Sequence, residues 1–347
     1  MSLFRKKTLA QVIEEAGDPN ASEGHVADGH SVAGGLRRHL GAPHLTALGV
    51  GAIIGAGIFS LTGTAAANYG GPGIIYSFVI AGALCALAGL CYAELASMIP
   101  VAGSAYTYSY TTMGELIAWI IGWDLILEYA FGAVTVSIAW SGYLYSLVHA
   151  TLGIELPEWL LRFTQGPFDM VTLPSGETVN GIWNVPATLI VVALTAVLYR
   201  GIRESAWVNN LIVVVKVAII VAFVALGLAV IDVANLIADP NASGLGALVP
   251  PVQRATEHGI TFDRYGWGLL PPDRGVLTAA AVVFFAYIGF DAVSTTAQEA
   301  KNPGRDIPIG ILASLAICTV LYILVSLVLT GVVHYTELAV PDPIAVG

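Results

Sequence analysis

The sequence predicts an all-α protein that crosses a lipid bilayer several times. Charged residues make up 11% of the 347-residue chain and the hydrophobic set 56%, and the mean hydropathy is +0.77. Long apolar runs recur along the sequence, and most acidic and basic residues lie between them. This combination is typical of an integral membrane protein and excludes an ordinary soluble domain.

The N-terminal segment, residues 1–44, precedes the first apolar run and is predicted to be cytoplasmic. Thr8–Ala16 alternates apolar and polar residues and predicts a short amphipathic helix. Gly17–Gly35 is rich in Gly, Asp, Asn and His, a composition typical of a mobile linker. No basic stub followed by a short apolar stretch and a cleavage site occurs at Met1, so we expect no signal peptide.

Apolar stretches of about 20 residues, the length that crosses a hydrocarbon core, predict seven membrane spans. They are Leu45–Ala67, Gly73–Ile99, Leu116–Val148, Val185–Tyr199, Trp207–Ile231, Val276–Ala297 and Ile307–Val333. The third span would be nearly 50 Å long at about 1.5 Å per residue, against a core of about 30 Å, so we expect strong tilt or protrusion. The cysteines Cys85, Cys91 and Cys318 lie inside spans and are predicted to be packing residues, not disulfide partners.

Basic residues near the span ends predict the orientation. With the N-terminus in the cytoplasm, the inner segments carry Arg37, Arg38, Arg200, Arg203, Lys301 and Arg305. The long outer loops carry Arg162, Arg254, Arg264 and Arg274, where basic residues count less. The balance favours a cytoplasmic N-terminus.

Two of the predicted spans contain a run that a membrane helix rarely tolerates. Span one carries the small-residue run Gly49–Phe59, and span six carries the irregular run Phe284–Asp291. Unpaired backbone in hydrocarbon costs roughly several kcal/mol per group, so such a break persists only beside a cavity or a ligand. Counting about 1.5 Å per residue, Gly55 lies about 14 Å into the bilayer from one side and Phe284–Asp291 about 14 to 23 Å from the other. Glycines such as Gly51 and Gly55 can alternatively serve close helix packing.

Paired breaks at this depth predict a receptor for a zwitterion. A break at Gly55–Gly57 exposes N–H groups at a positive dipole end, which suits a carboxylate. A break near Ala286–Gly289 exposes carbonyl groups, which suit an ammonium group. The predicted substrate-binding residues in these breaks are Ile54, Gly55, Ala56, Gly57, Ile58, Phe285, Ala286 and Ile288.

Three charged residues are predicted deep inside other spans. Asp124 lies about 13 Å in, Glu128 about 20 Å in and Lys216 about 14 Å in, at about 1.5 Å per residue. Asp124 and Glu128 are four residues apart and share a helix face. Glu128 is interpreted either as a substrate-binding residue for a cationic side chain or as a structural partner of Lys216, and Asp124 as structural. Charges at this depth are costly and usually functional or paired.

These residues stand in stretches that resemble the amino acid/polyamine/organocation superfamily, and specifically bacterial relatives of the cationic amino acid transporters. The matching stretches are Leu45–Phe59, Tyr92–Leu95 with Pro100–Tyr106, Phe285–Asp291 and Glu299–Pro308. The resemblance implies an inverted-repeat transporter fold of two five-helix repeats, with discontinuous helices one and six and alternating access. It also implies that Lys216 replaces the sodium ion of sodium-coupled relatives, so Lys216 is predicted to be the proton-coupling residue.

The resemblance also implies a domain organisation. Residues 45–232 are expected to form the first five-helix repeat, 233–275 an extracellular loop and 276–347 the start of the second repeat. Seven predicted spans do not complete two repeats, so we expect a fold that is truncated after about seven spans.

Two residues are predicted to gate the site. Phe285 lies beside the span-six break and is interpreted as an aromatic lid, although bulky aromatics are also ordinary helix filling. Glu94 lies near the inner end of span two and is interpreted as a cytoplasmic gate or an ion-pair member. The polar run Gly103–Thr112 is predicted to be a short connection between spans two and three.

The function expected from these features is secondary active transport of cationic or small neutral amino acids across the plasma membrane, coupled to protons. The partners would be an amino acid, a proton and the lipid bilayer, with no nucleic acid, cofactor or metal ion. The oligomeric state stays open. The alternatives are a non-transporting fragment, an amino acid sensor of the same fold, and an exchanger. An enzyme is not expected, because the sequence lacks a zinc-protease motif, a nucleophile elbow and Cys/His metal spacing.

Overall fold

The computed structural model describes residues 6–8, 39–99, 101–153, 156–173, 175–200, 202–257, 260–268, 273–340 and 343–346. The predicted amphipathic helix Thr8–Ala16, apart from Thr8, and the predicted linker Gly17–Gly35 lie outside these residues. The basic pair Arg37 and Arg38 also lies outside them.

The described chain is mainly helical. Its α-helices are α1 (Ala42–Ile53), α2 (Thr62–Ala65), α3 (Ile74–Met98), α4 (Ser104–Thr112), α5 (Glu115–Leu152), α6 (Glu158–Leu161), α7 (Val185–Arg200), α8 (Ile202–Gly227), α9 (Val233–Leu236), α10 (Val276–Val283), α11 (Ala292–Thr295), α12 (Pro303–Val332) and α13 (Pro343–Val346). The strands are β1 (Met170–Thr172), β2 (Thr178–Asn180), β3 (Gln253–Glu257) and β4 (Ile260–Arg264), which form two antiparallel hairpins. Gly57–Leu61 and Ala66–Gly70 are π-helical, and Phe284–Tyr287 is a 3-10 helix.

Four helical stretches of the described chain are long and apolar enough to cross a membrane. They are Gly57–Met98, Glu115–Leu152, Val276–Thr295 and Pro303–Val332. Shorter apolar helices cover Ala42–Ile53, Val185–Tyr199 and Leu211–Gly227. Each of the seven predicted spans therefore overlaps an apolar helix, and the second half of span one is continuous with span two in the stretch Gly57–Met98.

The chain forms two compact units, each assembled from three segments. The first unit comprises Met1–Ile54, Phe78–Tyr129 and Phe284–Leu321. The second comprises Gly55–Ser77, Ala130–Val283 and Tyr322–Gly347. The helices α3, α5 and α12 contribute residues to both units.

Glycines allow close helix packing in the first unit. A Cβ atom on Gly49 of α1 would lie 2.5 Å from the Ser314 hydroxyl of α12. A Cβ atom on Gly82 of α3 would lie 2.7 Å from the Thr319 hydroxyl of the same helix. Two helices therefore approach α12 at distances that only glycine permits, as small residues do at membrane helix interfaces.

The three cysteines of the chain all lie in the first unit. Cys85 and Cys318 are buried, Cys91 is exposed, and none of the three forms a disulfide. Burial of Cys85 and Cys318 agrees with the packing role predicted for them.

A loop segment holds the end of a helical segment in the second unit. The Arg264 guanidinium donates hydrogen bonds from Nη2 to the Ala67 carbonyl at 3.2 Å and to Asn68 Oδ1 at 3.1 Å. The Tyr265 hydroxyl donates to the same Ala67 carbonyl at 2.9 Å. Burial raises the pKa of the Tyr265 phenol above its ordinary value, so the hydroxyl stays a donor at neutral pH. These bonds pair a carbonyl at the end of the π-helical segment Ala66–Gly70, where Pro72 has no N–H to offer it.

The polar run Gly103–Thr112, predicted to connect spans two and three, lies between α3 and α5 and is helical from Ser104 to Thr112. Its threonine hydroxyls bond to backbone carbonyls within the run: Thr111 donates to Thr107 at 3.1 Å and Thr112 to Tyr108 at 2.7 Å. Hydroxyls that bond back to the preceding turn are compatible with a helix. The connection is therefore a short helix.

Gly289 lies where only glycine fits. Its φ is +105°, and a Cβ atom there would lie 2.8 Å from the carbonyl oxygen of Ala52 in α1. Both residues belong to the first unit. The turn after the Phe284–Tyr287 helix can therefore approach the end of α1 only through a residue without a side chain.

We expect Gly289→Ala to destabilise the protein by about 1–3 kcal/mol, the cost of a residue forced into a sparsely populated backbone region. The close approach to Ala52 would add to this cost. Thermal unfolding in detergent measures the effect. The control is Gly132→Ala in α5, where an added Cβ meets nothing within 4 Å and alanine favours the helix. Equal melting temperatures for the two variants would contradict the prediction.

Candidate substrate-binding site

The small-residue run of span one contains the end of a regular α-helix. The helix α1 ends at Ile53, and Ile54 has extended dihedrals of φ −70° and ψ 101°. Within the described residues, the N–H groups of Gly55 and Ala56 donate no hydrogen bond. Ala56 is buried with 4% of its surface exposed. Two backbone donors, one on a buried residue, are thus available to an anionic group.

Two hydroxyls bond to carbonyls in the last part of this run, which belongs to the second unit. The Thr62 hydroxyl donates to the Gly57 carbonyl at 3.1 Å, and the Tyr143 hydroxyl of α5 donates to the Phe59 carbonyl. The Tyr143 oxygen also accepts the N–H of Ile344 at 3.4 Å. The π-helical segment Gly57–Leu61 therefore has side-chain partners for its irregular backbone.

The irregular run of span six changes conformation twice. After α10 the chain forms the 3-10 helix Phe284–Tyr287, and it then turns through Gly289 into α11. The Phe285 carbonyl accepts the N–H of Ile288 at 3.2 Å and keeps a second lone pair. Ala286 is buried, whereas Phe285 and Ile288 are half-buried.

Tyr287 has no freedom to act as a lid in this arrangement. Its side chain is fully buried, and its hydroxyl donates to the Phe78 carbonyl of α3 at 3.0 Å. Its ring meets the Phe78 ring edge to face with 6.5 Å between centroids. Phe285 is half-buried, so its side chain is less enclosed than that of Tyr287.

Glu128 lies on α5 in the first unit, half-buried, and it interacts electrostatically with Asp291 of span six. Asp291 itself is only 3% exposed. Its Oδ2 accepts hydrogen bonds from the Tyr129 hydroxyl at 3.1 Å and the Ser104 hydroxyl at 3.5 Å. The sequence interpretation included Asp291 only as part of a motif. An acid inside an apolar span is itself a functional signal and was available from the sequence.

The remaining predicted site residues differ in their surroundings. Lys216 lies on α8 in the second unit and is half-buried. Asp124 of α5 and Glu94 of α3 are exposed. Within the described residues no ion pair is formed by Glu94, so a gating role for it has no ionic partner there.

The predicted site residues divide between the two units. Ile54, Phe285, Ala286, Ile288, Glu128 and Glu94 belong to the first unit. Gly55, Ala56, Gly57, Ile58 and Lys216 belong to the second. The structure therefore brings Glu128 and the span-six run into one packed unit, and Gly55–Ile58 and Lys216 into the other.

A cavity of about 260 Å³ lies in the second unit, apart from these residues. Neutral polar side chains of α5 and of the segment before β1 contribute to its lining, including Ser141, Tyr145, Thr164 and Gln165. None of the predicted site residues lines it.

The profile of the amino acid permease family matches residues 40–346, nearly the whole described chain. The chain belongs to the amino acid permease family. This family consists of permeases and not of enzymes, so membership confirms both the predicted superfamily resemblance and the expectation that the protein is not an enzyme. A permease with this set of apolar helices is a multi-pass membrane protein.

Similar proteins of this amino acid permease family come from bacteria and plants. The methylthioribose transporter of Bacillus subtilis is 41% identical over 99% of this chain and 62% of its own length. The branched-chain amino acid permease BcaP of Bacillus subtilis is 43% identical over 98% of this chain and 62% of its own. The chloroplastic cationic amino acid transporter 9 of Arabidopsis thaliana is 39% identical over 89% of this chain and 48% of its own. The chain thus spans less than two thirds of each of these relatives.

We expect Tyr143→Phe to increase local opening of the segment Gly55–Leu61, because the Phe59 carbonyl loses its hydroxyl donor. Losing about 1 kcal/mol of hydrogen-bond stabilisation would raise amide hydrogen exchange in Gly55–Leu61 about fivefold. Mass-spectrometric hydrogen exchange on the purified protein measures this. Tyr145→Phe is the matched control, since Tyr145 lies on the same helix, stacks on His149 and its hydroxyl makes no described hydrogen bond. Unchanged exchange in Tyr143→Phe would contradict the prediction.

Proposed function

We propose that this permease is a secondary active transporter that moves amino acids across the plasma membrane and couples this movement to a proton gradient. The match of the amino acid permease profile to residues 40–346 is the observation that carries the proposal. Two relatives that are named as amino acid transporters, at 43% and 39% identity, support it.

The substrate's α-carboxylate binds the N–H groups of Ala56, Gly57 and Ile58 in this proposal, with Ile54 and Gly55 forming the entry to that turn. The α-ammonium group binds the carbonyls of Phe285, Ala286 and Ile288, and Phe285 closes over the substrate. The free N–H group of Ala56 and the 3-10 conformation of Phe284–Tyr287 support these assignments. Backbone groups at interrupted helices are the usual ligands for zwitterionic substrates in transporters.

The proposed architecture is the inverted-repeat one, with interrupted first and sixth spans and a cytoplasmic N-terminus. Residues 45–232 would form the first repeat and residues from 276 onwards would belong to the second. The end of α1 at Ile53 and the short 3-10 segment after α10 support interruptions in both spans.

The side-chain class is set by Glu128 in this proposal. A carboxylate that is half-buried on α5 offers a cationic side chain an opposite charge, and a small neutral or branched side chain needs no such partner. The relatives include transporters named for both classes, so both belong to the proposed substrate range.

One specific observation favours a second candidate substrate. The methylthioribose transporter is 41% identical to this chain along 99% of its residues. Methylthioribose is a neutral sugar without a carboxylate or an ammonium group, so the zwitterion-binding breaks would serve it poorly. Binding of this sugar separates the two candidates.

A ligand panel on the purified protein tests the zwitterion proposal. We expect amino acids to raise the melting temperature, and their amides and decarboxylated amines to bind on the order of 100-fold more weakly, because each loses a charged hydrogen-bonding group worth about 1.5–3 kcal/mol. Thermal shift and titration calorimetry measure this. Methylthioribose and a simple hexose complete the panel. Preferential stabilisation by methylthioribose would replace the amino acid assignment.

Proton coupling is proposed to depend on Lys216, whose ammonium can release its proton. We expect Lys216→Ala to bind substrate but to lose accumulation driven by a pH gradient, and Lys216→Arg to lose it as well, because guanidinium does not deprotonate. Uptake of labelled substrate into liposomes with and without an imposed pH gradient measures this. Full gradient dependence in Lys216→Ala would reject the assignment.

A further inference from the structure

A buried acid in the first unit is surrounded by hydroxyl groups from three helices. Asp291 is 3% exposed, and its Oδ2 accepts hydrogen bonds from Tyr129 of α5 at 3.1 Å and from Ser104 of α4 at 3.5 Å. Tyr92 of α3 interacts electrostatically with Asp291, and its ring meets that of Tyr108 of α4 with 6.2 Å between the ring centroids. We call Asp291 and these four residues the hydroxyl cluster.

The second carboxyl oxygen of Asp291 has no partner within the described residues. Oδ1 is buried and accepts no hydrogen bond. The backbone N–H groups of Asp291 and Ala292 also interact with the carboxyl, although the N–H of Ala292 donates to the Gly289 carbonyl at 3.1 Å and neither satisfies Oδ1. A buried carboxylate oxygen without a donor is costly, so the group needs a further ligand at Oδ1.

No positive charge of the described chain compensates Asp291. None of the described Lys, Arg or His residues forms an ion pair with it. The charged group that faces it from α5 is another acid, Glu128, and Tyr92 interacts electrostatically with both. Two acids that face each other without a cation cannot both stay ionised cheaply in an apolar span.

The backbone around the cluster is strained. Ser104 has φ +49° although it is not glycine, a conformation that costs about 1–3 kcal/mol and concentrates at functional sites. The strained residue is the one that directs its hydroxyl at Asp291. The Tyr108 hydroxyl is also buried without a hydrogen-bond partner in the described residues. The cluster therefore holds an unpaired donor as well as an unpaired acceptor.

We propose that Asp291 is a proton-binding site, distinct from Lys216, which carries its proton on Oδ1 while the hydroxyl cluster is packed around it. A proton removes the charge of Asp291 and leaves Glu128 as the one ionised acid of the pair. A metal ion fits less well, because metal cations require several oxygen ligands at once. The described residues contain no group of three or more His, Cys, Asp or Glu side chains that could hold one.

The chemistry is a simple proton exchange. An O–H bond forms at Oδ1 with a proton taken from water, and the same bond breaks when the proton returns to water. The exchange transfers a proton and nothing else, so no oxidant or reductant is needed. A second proton carried in the transport cycle would rest on the proposed transport function. Protonation of Asp291 in the resting protein does not depend on it.

Infrared spectroscopy of the purified protein in detergent tests protonation directly. We expect the wild type at neutral pH to show a carboxylic acid C=O band that shifts on transfer to heavy water. Asp291→Asn should lose this band. The matched control, Asp124→Asn, removes an exposed acid of α5 and should keep it.

Two further measurements complete the test: the spectrum of Tyr129→Phe, and the spectrum of the wild type with sodium in place of choline. Tyr129→Phe retains Asp291 but removes a hydrogen bond to its carboxyl, so the band should persist and move to higher frequency. This variant decides the matter if Asp291→Asn does not fold. The proposal is overturned if the wild type lacks the band, if Asp291→Asn keeps it, or if Tyr129→Phe leaves its position unchanged. Loss of the wild-type band when sodium replaces choline would overturn it in favour of a cation site.

Failure of this test and failure of the transport proposal are distinguishable. The infrared measurement needs neither substrate nor a membrane potential, so it can succeed in a protein that does not transport. The uptake assay can succeed when Asp291 is ionised.

Discussion

Pairing of backbone polar groups in apolar surroundings is the constraint on which the rest of this structure depends. Regular α-helix pairs these groups by itself, but the chain departs from regular helix in two of its spans. Hydroxyl side chains then serve as partners: Thr62 for the Gly57 carbonyl and Tyr143 for the Phe59 carbonyl. These bonds explain how an irregular backbone can persist in apolar segments, where water does not substitute.

Some polar groups of the described chain have no hydrogen-bond partner, and they include the groups to which we assign functions. The N–H groups of Gly55 and Ala56 in the second unit, and Oδ1 of Asp291 in the first, have no partner within the described chain. A protein that pairs most irregular carbonyls with side chains leaves few such groups by accident. The unpaired donors suit an anion and the unpaired acceptor suits a proton, and this division underlies the functional proposals.

Hydropathy predicts most of the helices, because apolar runs of sufficient length have few other stable forms in this class of protein. The long helix α5, Glu115–Leu152, contains the predicted third span, Leu116–Val148. The predicted outer loop 233–275, in contrast, contains the helix α9 and the hairpin β3–β4, which depend on local turn geometry that hydropathy does not report. The family was predictable from ordered motifs, since each motif is short but the set is specific.

The site was harder to predict than the spans. Glu128 was identified from its depth, but its neighbour Asp291 depends on contacts between residues more than 160 positions apart in sequence, such as that with Tyr129. The conformation of Ser104 has no signal in composition or periodicity. Sequence patterns indicate which residues are unusual, whereas the fold decides which of them meet.

The positions of the three cysteines make the wild-type chain a suitable background for site-specific labelling in a membrane. Cys85 and Cys318 are buried, and Cys91, although exposed, lies inside the apolar stretch Gly57–Met98, where an exposed side chain meets lipid. Maleimides react with thiolates, which hydrocarbon does not support. A cysteine introduced into a loop would therefore carry the fluorophore without removal of the native thiols.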